Sequence, residues 1–281
     1  VFFSIIKVML RNLFFSVVIQ TLNEEDYLPK ILSDLAKQKR KNFEIIVVDA
    51  ASEDKTKEKA LKFSKLFPLE FYSVEKRNVS YQRNFGAQKA KGDYILFLDA
   101  DARVESKFTE NIYKSILKKK NLLSLPILIP DEPSSKNKLI FKVVNSTIKL
   151  SQSLNKPLSA GGSIFIARKL FSDLKGFRED LYISEDHNLI QRAKKLGVKV
   201  KILKDVKVVF SLRRVKKEGE AIILYKYILS SIYMLINGEI TDKIYSYEMD
   251  GGKHYKNFKR EPTLLRKFLK KTSTFLSDSL S

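Results

Sequence analysis

No cysteine occurs among the 281 residues, which excludes disulfides, thiolate zinc sites and cysteine nucleophiles and fits a reducing compartment. Histidine is nearly as scarce, with two residues, so a bound metal would have to sit on oxygen or on those imidazoles. Acidic residues are outnumbered: 32 Asp and Glu face 53 Lys and Arg. The resulting +21 sets up a positive field that attracts nucleotides, phosphorylated lipids, anionic membrane or nucleic acid. No run of about 18 uncharged apolar residues is present, so no spanning helix is expected. The opening VFFSIIKVML resembles a signal h-region but lacks a small-residue cleavage site and runs on into a core strand, so residues 1–14 read as an apolar extension. Internal repeats and low-complexity linkers are missing too. What is present is an ordinary globular composition, 44% hydrophobic and 30% charged, in a chain long enough to bury a full core.

Apolar strands alternate with amphipathic helices through the first hundred residues. Phe15 to Ile19 reads as a buried strand, and Leu28, Ile31, Leu32 and Leu35 share one face of the helix that follows. The pattern repeats with strand Glu44 to Val48, a helix from about Asp54, strand Leu69 to Val74, a helix from about Ser80 to Lys91, and strand Tyr94 to Leu98. Continuously apolar strands joined by helices argue an α/β fold, a mostly parallel central sheet with helices on both faces. After Ala102 the rhythm becomes mixed: a helix through Phe108, a strand Leu122 to Ile129, and an amphipathic helix Leu139 to Leu154. A strand Ser163 to Ala167, a helix Glu185 to Leu196 and alternating strands in Val198 to Phe210 follow. Residues 15–215 are therefore expected to form one domain, with a regularly alternating half, 15–102, and a mixed half, 103–215. Residues 216–281 are an amphipathic helix, Glu220 to Ile236, and a basic tail, of which 253–271 hold eight Lys or Arg and one acid.

Three of the apolar strands end in polar clusters. Asp99-Ala100-Asp101 follows Tyr94 to Leu98; with 15 aspartates, a D-x-D triplet should arise by chance about 0.8 times, so the spacing alone says little. Its position says more. Ligands of open α/β sheets bind beyond the carboxyl ends of strands, and two carboxylates there suit a hard cation bridging diphosphate oxygens. Asp49, past the second strand, can accept from a base imide or a ribose hydroxyl, while Ser52 can cap the next helix. Thr21-Leu22-Asn23-Glu24 follows strand one, where Asn23 or Asp26 can serve as a cap.

The segments Val17 to Glu24, Val47 to Thr56, Gln82-Arg83-Asn84-Phe85-Gly86-Ala87 and Phe97 to Asp101, spaced and ordered as they are, resemble family 2 inverting glycosyltransferases over about residues 15 to 215. The resemblance implies a nucleotide-diphospho-sugar transferase fold of the glycosyltransferase A type, Rossmann-like. It implies that Thr21, Asn23, Glu24 and Asp49 line a nucleoside pocket with Ser52 nearby, that Arg83 faces the diphosphate, and that Asp99 and Asp101 hold ribose and Mn²⁺ or Mg²⁺, Asp101 as the direct ligand. Gln20 stands where such proteins often carry proline. Downstream, Glu185-Asp186 resembles the family's acidic pair before the acceptor, and Asp186 is the expected base. A positioned carboxylate there can contribute about 10²–10⁴-fold. Gly162 and Ser163 would let backbone approach sugar or acceptor, or make a plain tight turn. Arg213-Arg214 resembles a basic pair near the diphosphate, with Arg214 the expected donor contact.

The function expected from this is transfer of a sugar from a UDP-, GDP- or dTDP-sugar to a glycan or lipid-linked acceptor, with no nucleic acid partner. The expected setting is cytoplasmic, with the basic tail on an anionic membrane face. A sugar nucleotidyltransferase would want a Gly-rich basic loop where Thr21 to Glu24 stands. A basic nucleic-acid-binding or membrane-binding module is the alternative of another class, and steep salt dependence of DNA binding without metal-dependent nucleotide binding would mark the first of these.

Overall fold

The computed structural model describes residues 13–119, 121–154, 156–159 and 161–219, together with 222, 223, 226, 230, 233, 239–241, 251 and 252. The apolar extension through residue 12, most of the expected helix 220–236 and the basic tail 253–271 lie outside the described residues.

The parallel half follows from its apolar runs. Strands β1 (Phe15–Thr21), β2 (Phe43–Asp49) and β4 (Tyr94–Asp99) are buried almost throughout, as strands covered on both faces must be. Helix α1 (Leu28–Ala36) joins β1 to β2 and buries Leu28, Ile31, Leu32 and Leu35. Helix α2 (Thr56–Leu61) leads to β3 (Leu69–Ser73), and α3 (Val79–Lys89) leads to β4. β3 is only half-buried, because it is the outer strand of the sheet. Beyond β4 come a short β5 (Arg103–Val104), α4 (Phe108–Lys119), β6 (Leu123–Pro130), α5 (Ser135–Ser151), β7 (Ile164–Ala167) and α6 (Arg168–Asp173). Helix α7 (Glu185–Lys195), β8 (Lys201–Phe210) and α8 (Arg213–Glu218) complete the described elements.

One sheet takes all these strands in the order β3-β2-β1-β4-β7-β6-β8-β5. β1 pairs in parallel with β2 and β4, β2 with β3, and β6 with β8. β7 runs antiparallel to both β4 and β6, and β5 antiparallel to β8. The carboxyl ends of β1, β2, β4, β6 and β8 therefore share one edge with the amino end of β7. That reversal brings Gly161-Gly162-Ser163 to the same edge as Asp99. The core beneath is apolar and continuous from β2 to α7, with Phe15, Phe43, Phe97, Phe108 and Phe165 fully buried, each contributing about 1.5–3 kcal/mol.

Two expected helix caps are not formed. α1 begins after Tyr27 without a side-chain cap, and α2 after Lys55 likewise. Asn23 and Ser52 instead tie loops together at the sheet edge. α3 is capped by Asn78, whose side chain accepts from Tyr81 N at 2.8 Å.

Candidate active site

The loops after β1 and β2 are held to each other by side-chain bonds. Both pass through the left-handed region at non-glycine residues, Asn23 (φ 53°) and Ala51 (φ 53°). Such strain persists only where surrounding bonds over-determine it. Ser52 Oγ accepts from Asn23 N at 2.7 Å and donates to Asp49, while Ser52 N donates to Asp49 Oδ2 at 2.8 Å. Asn23 Oδ1 accepts from Glu53 N at 2.8 Å. Beneath them the buried Gln82 donates to the carbonyls of Thr21 (2.9 Å) and Val48 (2.8 Å), locking the last turns of the two strands. Burial pushes the Asp49 carboxyl above its ordinary range against the lowering effect of the Ser52 bonds. At the end of β1, Thr21 Oγ1 and Gln20 Oε1 are buried without a hydrogen-bond partner.

Arg83, carried on α3, is 3% exposed and joins the two halves of the domain. Its Nη2 donates to Asp99 Oδ1 at 3.0 Å and its Nη1 to Glu185 Oε1 at 2.6 Å. Gln20 donates to the same Asp99 oxygen. Burial opposes the charge on Arg83, but Asp99, Glu185 and Asp186 more than offset it and hold its pKa above the ordinary value. Gly162 is wedged against this bridge: a Cβ there would run into Asp99 Oδ1 and Arg83 Nη2. Ser163 beside it is buried.

A second ion cluster closes the edge. Arg213 donates from Nη1 and Nη2 to the two oxygens of Glu24, at 2.7 and 2.5 Å, and its Nε lies 2.8 Å from Asp101 Oδ2. Burial raises the Glu24 pKa to about 7, with Asp101 and Asp54 adding to it and Arg213 pulling the other way. Asp101 is raised for the same reason, burial first, with Arg213 opposing and Asp99 adding. Arg213, the neighbour of the expected Arg214, is the cation that pairs directly with these carboxylates; Arg214 also acts on Asp101 through its charge and lies 3.9 Å from Glu218, one helical turn on.

Helix α7 starts at Ser184, whose left-handed backbone (φ 68°) aims the first turn. Asp186 there is buried, and its Oδ1 accepts from His187 N at 2.9 Å and from His187 Nδ1 at 2.8 Å. Burial alone would raise its pKa, but the His187 charge and bonds, with Arg83, bring it down to about 2. The same pairing raises His187 above its usual value against its own burial. Burial pushes Glu185 up, Arg83 opposing.

Two stretches expected in a tail outside the domain pack against this site. Ile240 O accepts from Tyr182 N at 2.9 Å, and Glu239 takes Asn188 Nδ2 at 2.8 Å and Arg178. Farther on, Gly252 N donates to Leu22 O at 3.0 Å, so close that a Cβ on Gly251 or Gly252 would strike the carbonyls of Leu22 and Asn23. No local signal in the sequence announces this contact.

The donor set suits a hard cation incompletely. Among the described residues no group of three or more His, Cys, Asp or Glu forms a metal cage. Asp99 and Asp101 each have one oxygen engaged by an arginine. A cation held by one or two carboxylates must complete its shell with phosphate oxygens and water, which is how Mg²⁺ sites on nucleotides are built. On that chemistry the residues fit a divalent ion that arrives with a diphosphate.

An open sheet with acidic and polar strand ends, a left-handed loop pair and a buried arginine at one carboxyl edge is a nucleotide-binding architecture. The chain belongs to glycosyl transferase family 2, whose model matches residues 16–175. It is 32% identical over 167 residues to the dolichyl N-acetyl-alpha-D-glucosaminyl phosphate 3-beta-D-2,3-diacetamido-2,3-dideoxy-beta-D-glucuronosyltransferase of Methanococcus voltae, covering 56% of this chain and 49% of that protein. To the minor teichoic acid biosynthesis protein GgaB of Bacillus subtilis it is 26% identical over 218 residues, 75% of this chain and 24% of that one. The chain thus spans about half, or less, of these curated relatives. Its fold is that of Staphylococcus aureus TarS 1-349, solved with UDP-GlcNAc: TM-score 0.59 at 22% identity, covering 71% of this chain and 58% of that one. The mannosyltransferase PcManGT of Pyrobaculum calidifontis, solved with GDP-Man and Mn²⁺, has a TM-score of 0.59 at 21% identity, covering 70% and 56%.

Proposed function

We propose that the chain catalyses metal-dependent, inverting transfer of a sugar from a nucleotide-diphosphate sugar to a hydroxyl of a glycan or lipid-linked acceptor. The observation that carries this reading is Arg83, which ties the donor-side Asp99 to Glu185 at the start of the acceptor-side helix. Donor and base are thereby set on one rigid unit. Thr21, Asn23, Glu24 and Asp49 frame the nucleoside, and the unpartnered Thr21 Oγ1 supports a polar ligand there. Arg213 and Arg214, whose charges both act on Asp101, would face the diphosphate. A divalent cation held by Asp101, with Asp99, supplies charge to the departing diphosphate when bound.

Asp186 accepts the proton of the acceptor hydroxyl as that oxygen attacks the anomeric carbon from the face opposite the nucleotide. Its pairing with His187 keeps the carboxylate ionised and engages Oδ1, leaving Oδ2 for the acceptor. In this reading Ser163 and the Gly162 backbone contact the sugar and acceptor, supported by the close approach of Gly162 to Asp99. The dolichyl phosphate in the name of the Methanococcus voltae relative supports a lipid-linked acceptor, and UDP-GlcNAc and GDP-Man with Mn²⁺ in the fold neighbours support a nucleotide donor with a cation. Among the described residues no helix is long and apolar enough to cross a membrane, which is compatible with action at a cytoplasmic membrane face.

A thermal-shift screen of UDP-, GDP- and dTDP-sugars with Mn²⁺ or Mg²⁺ should give a metal-dependent rise for one donor. Asp101→Asn and Asp186→Asn should each abolish transfer with folding retained, and Asp186→Asn should keep the donor-induced rise. Near-normal turnover by either variant would overturn its assigned role.

A further inference from the structure

We propose that the outward face of helix α5 is a docking surface for an anionic lipid bilayer. The helix has two apolar sides. One buries Phe141 and Ile148 against the sheet, fixed by Asn145, which accepts from Leu128 N at 3.0 Å and donates to Leu128 O at 2.8 Å. The other carries Leu139, Val143 and Leu150, which are 63%, 57% and 71% exposed, with Ile140 and Val144 beside them. Of the ten large apolar side chains exposed among the described residues, six lie between Leu139 and Leu154, so the patch is a local feature and not the ordinary scatter of surface leucines.

The charges next to that ridge identify the occupant. Lys138, Lys142 and Lys149 repeat the spacing of Leu139, Val143 and Leu150 one residue earlier, which makes a cationic stripe about 100° round the helix from the apolar one. No Asp or Glu occurs from residue 133 to 172. The lysine stripe borders a groove of about 740 Å³ floored by Ile129, Val200 and Ile202, and five lysines but no carboxylate line it. An apolar ridge flanked by lysine is the pattern of a helix lying in the plane of a charged membrane, with the apolar side chains among acyl chains and the ammonium groups at phosphates. Nucleic acid would use the lysines and leave the ridge in water. A second copy would bring like-charged lysine stripes together across a two-fold axis. The helix follows the carboxyl end of β6, at the sheet edge that carries the candidate active site, so a bilayer on this face lies on the acceptor side. The inference concerns lipid binding and holds whether or not the chain transfers sugar.

The chain has no tryptophan, so one can be placed as a reporter. Val143→Trp should shift its emission to the blue, and be quenched by brominated acyl chains, when the full chain meets phosphatidylglycerol vesicles but not phosphatidylcholine vesicles. Leu61→Trp, at a position 42% exposed on α2, should do neither. The charge-preserving triple variant Leu139→Ser, Val143→Ser, Leu150→Ser should weaken sedimentation with phosphatidylglycerol vesicles about tenfold or more while its melting temperature holds. The proposal fails if no variant or parent partitions onto the anionic vesicles, or if Val143→Trp binds them with its emission unshifted, because another face is then responsible. It also fails if the triple variant turns a dimer into a monomer in sedimentation equilibrium, because a second copy then covers the ridge.

Discussion

Replacing Arg83 by methionine tests whether the bridge between the halves is structural as well as functional. The guanidinium is 3% exposed and sits 3.0 Å from Asp99 and 2.6 Å from Glu185, whose side chains are 32% and 20% exposed, so its loss leaves two partly hydrated carboxylates without the cation they share. Removing one partner of such a buried pair costs about 3–5 kcal/mol, chiefly through the charge left behind. At roughly 2–4 °C per kcal/mol for a domain of this size, Arg83→Met should melt about 6–20 °C below wild type. Arg83→Lys keeps the charge but cannot reach both carboxylates in fork geometry, so it should fall between the two. Neutralising one carboxylate relieves part of the penalty: Arg83→Met with Glu185→Gln should cost less than the sum of the single variants, with a coupling of about 1–3 kcal/mol by urea unfolding. A melting temperature for Arg83→Met within about 2 °C of wild type, or strict additivity in the cycle, would refute the reasoning.

Gly162→Ala must push Asp99 or Arg83 aside; overpacking of this kind costs about 1–3 kcal/mol, and calorimetric titration should find donor binding weakened about tenfold or more. In metal-free protein Glu24, raised from 4.5 to about 7, binds more protons folded than unfolded, so its contribution to stability falls as pH rises across that window. Urea unfolding at pH 5 and pH 8 should therefore show a loss on the order of 3 kcal/mol from this residue that Glu24→Gln removes; an unchanged pH difference in the variant counts against it. Gln82→Leu removes the donor shared by the Thr21 and Val48 carbonyls, while Thr21 O keeps Ala50 N at 3.0 Å, so the loss should cost about 1–3 kcal/mol in total; stability equal to wild type would show that the strand ends need no lock.

The parallel half of the fold was legible because its strands are apolar on both faces and its helices are not. The runs around Val17, Ile46 and Leu96 can be covered in no other simple way. Local competition was not legible. Asn23 and Ser52 are good caps by type, yet each finds a loop partner about thirty residues away, and a single sequence does not rank a near bond against a distant one. The same limit applies to Arg213 and Arg214. Which of two neighbours faces the carboxylates depends on how the chain turns from β8 into α8, and strand alternation stops at Phe210. The spacing in α5 announced an amphipathic helix, but two apolar stripes satisfy it and only packing says that Phe141 and Ile148 are the buried one. Gln82 stood in a motif without a role until the strand ends it joins were placed together.

The reversed direction of β7 bears on how such a chain can diversify. Because β6 ends and β7 begins at one edge, everything between Asp131 and Ser163 leaves from the candidate site and returns to it while the sheet pairings on either side stay fixed. Lengthening, shortening or replacing that excursion alters the chain that leads into Gly162 without changing the β1–β2 pairing that carries the loops around Asn23 and Ser52. In the proposed reading, acceptor preference can therefore drift by insertion and deletion in one segment, under selection separate from that which holds the nucleotide side constant.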